Sequence, residues 1–167
     1  AKQLAPCLAG NSTVTPPFAT EAMLPDGTGK LQVGVPLMYA AAPIRSPEGR
    51  VIAVLGLRIL PERDFTRILA TARSGASGET YAFNREGFLL SESRFDDELK
   101  RLGLIPDTDS ARSLLTLDAR DPLVDLGRGR RPPTRRSELP FTKAVSQAIA
   151  GGDGVDAHGY RGYRGVP

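Results

Sequence analysis

The chain has no tryptophan, one cysteine (Cys7) and one histidine (His158). A single cysteine excludes an internal disulfide framework and a multi-cysteine zinc site. A single histidine excludes a two-histidine metal site and leaves His158 as the only imidazole for acid–base work. Lysine is scarce too, at Lys2, Lys30, Lys100 and Lys143, so arginine carries most of the positive charge. The net charge of +3 is too small to indicate a nucleic-acid binder. No apolar run approaches the ~18 residues that cross a bilayer. The best stretch, Val51 to Leu60, is short and contains Arg58. Neither a Walker nor a Rossmann glycine pattern is present.

What is abundant is turn chemistry. Glycine (18) and proline (14) are frequent in 167 residues, which argues against a helical bundle. A 40% hydrophobic and 25% charged composition is that of a globular chain. Residues 1–30 are rich in proline and glycine and read as a long loop. Two strands follow, Leu31 to Tyr39 and Val51 to Ile59, joined through Ser46-Pro47-Glu48-Gly49 as an antiparallel pair. Pro36 cannot donate to a ladder and places its strand at an edge or a bulge.

A helix is expected from Pro61 to about Ser74, with Pro61, Glu62 and Asp64 suited to its start. Its apolar stripe would be Phe65, Ile68, Leu69 and Ala72. Glu79 to Phe83 and Phe88 to Ser91 flank Asn84-Arg85-Glu86-Gly87 as a second hairpin. A short helix from about Phe95 to Leu102 stops at Gly103. Ser113 to Ala119 resembles a strand, Leu139 to Ala150 a helix stopped by Gly151-Gly152, and Tyr160 to Pro167 the start of a further strand. Strands that pair locally, with helices between the pairs, give an α+β class with antiparallel sheets.

This ordered set resembles the double Cache family of sensor domains, built from PAS-like modules. Val54-Leu55-Gly56-Leu57-Arg58-Ile59 running into a helix is similar to the end of the membrane-distal module. The stretch from Gly75 to Phe95 (GASGETYAFNREGFLLSESRF) and the ending Gly159-Tyr160-Arg161-Gly162-Tyr163-Arg164-Gly165-Val166-Pro167 resemble parts of the membrane-proximal module. The resemblance covers about residues 16–167. It implies residues 1–60 as the end of the distal module, 61–74 as a connecting helix and 75–167 as a truncated proximal module, the whole incomplete at both ends.

The resemblance also implies a function: extracytoplasmic sensing of a small molecule for a membrane-anchored kinase, cyclase or chemoreceptor. No catalysis, cofactor, metal or nucleic-acid partner is expected, and association as a homodimer is. Expected ligand-contacting residues are Phe18, Tyr39 and Arg58 on the distal side and Tyr81, Arg94 and Tyr163 on the proximal side. One departure from the family matters. Amino-acid-binding members carry an aspartate where this chain has Arg58, and a tyrosine near Phe18. A guanidinium suits a carboxylate and cannot accept from an ammonium. Arg58 thus points to an anionic ligand or none; its structural alternative is a local pair with Glu62 or Asp64.

Other features have plainer readings. Arg128 to Arg136 holds five arginines and Pro132-Pro133, which reads as a solvated, extended loop. Gly151 to Asp156 matches one copy of a calcium β-roll repeat, too few to share an ion between turns. Asp96, Asp97 and Glu98 are consecutive and diverge on a helix rather than converging on one point. Ser91 and Ser93 lack a nucleophile elbow. Two competing functions remain: a pocketless protein-docking module, and a fragment of a small hydrolase.

Overall fold

A computed structural model describes residues 2–26 and 28–166. The chain divides into two units, Ala1–Thr71 and Ala72–Pro167. Both mix short helices with antiparallel strand pairing, which places the chain in the α+β class.

In the first unit the organising element is β5 (Pro36–Arg45), after four two-residue strands: β1 (Thr13–Val14), β2 (Phe18–Ala19), β3 (Leu24–Pro25) and β4 (Leu31–Gln32). β6 (Val51–Ile59) pairs antiparallel with β5 from Met38 opposite Ile59 to Arg45 opposite Val51, with a register shift between Ile44 and Arg45. The turn joining them closes as its residues dictate: the Ser46 N–H bonds the Arg50 carbonyl, and the Gly49 N–H bonds the Ser46 carbonyl.

The opposite edge of β5 carries β1 and then β2, interrupted by Pro16-Pro17. Thr15 keeps this junction bonded. Its N–H donates to the Tyr39 carbonyl and its hydroxyl accepts from the Tyr39 N–H, each at 2.9 Å. β3 and β4 form a separate pair around Asp26, whose carboxylate collects Thr28, Lys30 and Gln32. The buried apolar residues are Cys7 of α1 (Ala5–Leu8), Val35, Leu37, Met38 and Ala41.

Two expectations change here. The strand expected at Leu31 to Tyr39 is broken after Gln32. Leu31 and Gln32 serve β4, and β5 starts at Pro36, a first-residue position where the missing N–H is harmless. The expected helix shrinks to a π turn, Pro61–Phe65, followed by α2 (Thr66–Ala70). The wider turn rotates the downstream face, so Ile68 is 67% exposed while Pro61 and Thr66 are buried.

The second unit pairs its backbone in isolated bridges. Phe83 bridges Leu89, Phe88 bridges Asp118, and Arg120 bridges Phe141. The expected hairpin at 79–91 is therefore present at its turn, where Asn84 and Phe88 bond, but not as two full strands. Gly87 holds φ +82°, and a Cβ there would lie 2.3 Å from the Phe141 ring. α3 (Asp96–Arg101) carries three acids in its first turn and Lys100 and Arg101 in its last, matching the helix dipole, and stops at Gly103. α4 (Lys143–Ile149) ends with the Gly151 and Gly152 N–H groups on the Ala148 and Gln147 carbonyls, a Schellman closure.

The core gathers Leu89, Leu99, Ile105, Leu117, Ala119, Val145 and Tyr163, with Tyr81, Phe83, Phe95, Leu104 and Phe141 packed on it. Each fully buried leucine contributes about 1.5–3 kcal/mol. Three expectations are corrected. Ser113 to Thr116 is a turn rather than a strand, with Leu115 at φ +58°. The last helix starts at Lys143, because Phe141 is held in the bridge with Arg120 and the Thr142 N–H bonds the Ala119 carbonyl. The stretch from Tyr160 is not a strand. It closes in a turn with the Gly162 N–H on the Val166 carbonyl; Pro167 lies outside the described residues.

Candidate functional site

The second unit contains a cavity of about 230 Å³. Its walls come from three places in the sequence: Ser77, Glu79 and Tyr81 from the leading segment, Phe95 from the N-terminus of α3, and Gly159, Tyr160, Gly162, Tyr163, Arg164 and Val166 from the final turn. The leading segment is anchored by Arg94, whose Nη1 donates to the carbonyls of Gly75 (3.1 Å) and Gly78 (2.7 Å). The final turn is fixed by Gly165 at φ +85°. A Cβ there would meet the Val124 carbonyl oxygen at 1.8 Å, so only glycine lets the turn pack so closely.

Glu79 is the polar centre of this site. Its Oε1 accepts the Arg94 backbone N–H at 2.9 Å, and its Oε2 accepts the Tyr163 hydroxyl. Since the Tyr163 proton goes to the carboxylate, the Ser93 hydroxyl is the donor in the 2.8 Å contact between Ser93 and Tyr163. Ser93 Oγ in turn accepts the Phe95 N–H. The Ser93 N–H bonds Ser113 Oγ, and the Ser113 N–H bonds Asp96. A connected polar chain thus runs from the cavity to the start of α3.

Burial and the nearby Glu79 charge push the Tyr163 phenol well above the usual tyrosine range. Burial first, and neighbouring charge after it, push Tyr81 up to about 12. Both therefore remain neutral hydrogen-bond donors near neutral pH. The Tyr81 and Tyr163 rings meet edge to face, centroids 5.6 Å apart at 76°. Arg164 lies 3.5 Å from the Phe95 ring centroid and donates to Glu98 at 2.8 Å.

The structure brings the expected proximal residues Tyr81 and Tyr163 together. Arg94 stands beside them as an anchor and does not line the cavity. On the distal side Tyr39 neighbours both of the other two. Phe18 and Tyr39 have ring centroids 6.0 Å apart, and Tyr39 stands opposite Arg58 in the ladder. Arg58 Nη2 donates to the Pro25 carbonyl at 2.6 Å, while its Nε is buried without a hydrogen-bond partner. Arg58 therefore ties β6 to β3.

Glu79, Phe95 and Arg164 escaped the sequence reading as site residues. One signal pointed to Glu79: in an extended segment it shares a face with Tyr81 and Phe83. The other candidates are occupied elsewhere. Ser91 Oγ accepts the Ala82 N–H, and His158 is fully exposed beside Asp156. Asp96 bonds Ser113 and Glu98 bonds Arg164, so these acids do diverge. Among the described residues no group of three or more metal-ligating side chains assembles, and no helix is long and apolar enough to cross a membrane. Neither the family models nor the curated proteins nor the solved structures include a match to this chain.

Proposed function

We propose that the chain is the sensory part of a membrane-anchored signalling protein, of double Cache type with PAS-like modules, facing the extracytoplasmic side. It binds a small molecule and performs no chemistry itself. The observation that carries this reading is the cavity of the second unit, walled by four aromatic residues and two charged ones from distant parts of the chain. Occupation of such a cavity would tie the final turn to the leading segment and shift the balance between two arrangements of the unit. The motif from Gly75 to Phe95 and the described part of the final one, Gly159 to Val166, which carry the family resemblance, contribute the residues of its walls.

The test is thermal unfolding of the chain against a panel of small amines, carboxylates and neutral metabolites. A ligand at 100 times its Kd adds about 2.7 kcal/mol and raises the midpoint by several degrees. A flat response across the panel would remove the sensing reading.

A second reading has its own support. On β6, Ile52, Leu55 and Leu57 are 64–67% exposed. An apolar strand of this kind suits docking of a protein partner or a second copy. Light scattering that showed a concentration-dependent dimer, lost in Leu55→Lys, would favour it.

A further inference from the structure

The ligand class follows from how charge is distributed around the cavity, on the premise that the cavity binds a small molecule. Two charged side chains line it, Glu79 and Arg164. Arg164 is already neutralised: Glu98 sits 2.8 Å from its Nη1, and the guanidinium lies on the Phe95 ring. Binding an anion there would require breaking that ion pair. Glu79 is different. Its hydrogen bonds come from an amide and a phenol, both neutral, and among the described residues it forms no ion pair. Arg94, the cation nearest in the hydrogen-bond network, spends its guanidinium on the Gly75 and Gly78 carbonyls and does not line the cavity.

A carboxylate held by two neutral donors has no counter-ion among the described residues and still has lone pairs to offer. Around it stand Tyr81, Tyr160 and Tyr163, whose ring quadrupoles attract cations. We infer that the cavity takes a small organic cation, a primary amine or a quaternary ammonium, with Glu79 as its counter-ion and the tyrosine rings around its alkyl groups. The volume, about 230 Å³, is below the ~300 Å³ at which drug-sized pockets begin, so the cation is a compact one. The anion expected from Arg58 belongs to a different place in the chain and does not bear on this cavity.

Four probes of similar size and different charge test this: tetramethylammonium, propylammonium, propionate and propanol, titrated calorimetrically into the full chain. The two cations should bind, and propionate and propanol should not. Glu79→Gln keeps a similar shape and removes the charge; it should weaken the cations by about tenfold or more. Tyr160→Leu, at a 39% exposed position, should weaken tetramethylammonium by about three- to tenfold, and it carries the test if Glu79→Gln unfolds. Binding of propionate or propanol in place of the cations overturns the cation inference and leaves small-molecule sensing standing. Unchanged cation affinity in both variants also overturns it. Silence from all four probes overturns it as well, and the wider panel then decides the sensing reading separately.

Discussion

The phenol of Tyr163 donates to the carboxylate of Glu79 across 84 positions of sequence. This one bond closes the second unit's leading segment against its final turn. It also gives Glu79 Oε2 a donor and the Tyr163 hydroxyl a second partner beside Ser93. Removing the hydroxyl in Tyr163→Phe should cost about 1–3 kcal/mol, because Glu79 and Ser93 each lose a partner. Urea unfolding checks this, and Tyr160→Phe at the exposed neighbouring site should leave the midpoint nearly unchanged.

Gly87 and Gly103 separate two causes of glycine dependence. Both have positive φ, at +82° and +69°. A Cβ at Gly87 would run into the Phe141 ring, whereas at Gly103 nothing lies within 4 Å. Gly103→Ala should cost about 1 kcal/mol of backbone strain. Gly87→Ala should cost clearly more, about 2–4 kcal/mol, since overpacking adds to the strain. Equal losses in denaturant titrations would show that the Phe141 ring yields freely.

Asp96 gives a pH dependence with a definite sign. Burial is the main cause that raises its pKa, outweighing the Ser113 hydrogen bonds, and its Oδ1 is buried without a partner. The folded state therefore holds this proton more tightly than the unfolded state does. Its contribution to stability falls as pH rises from the unfolded value near 3.8 through the folded value. Asp96→Asn, which keeps an acceptor for the Ser113 N–H, should flatten that part of the profile and be at least as stable as the parent at neutral pH. Urea midpoints measured from mildly acidic to neutral pH decide it; a variant less stable throughout would mean the charge is favourable where it stands.

Cys7 provides a probe confined to the first unit. It is the chain's only thiol and is fully buried. Thiol labelling under native conditions should proceed only through opening of that unit, at a rate that rises with denaturant. Labelling as fast as that of a free peptide thiol would show that α1 frays from its seat.

The parts of this protein that its sequence determines by itself are those governed by local backbone preference. Ser46 to Gly49 turns, Gly87 takes positive φ, Gly103 and Gly151-Gly152 stop helices, and Val51 to Ile59 is extended, because proline, glycine and β-branched residues restrict their own dihedral angles wherever they occur. Tertiary structure alone decided the rest. Whether Leu31 belongs with Tyr39 or with Pro25, or whether Ile68 faces inward, depends on which partner strand or core face is available, and no local angle encodes that. The same holds for the cavity. Period two could place Glu79 beside Tyr81, but only the packed core brings Phe95, Tyr163 and Arg164 to the same place. Contacts between residues far apart in sequence are selected by burial and hydrogen-bond satisfaction over the whole unit at once.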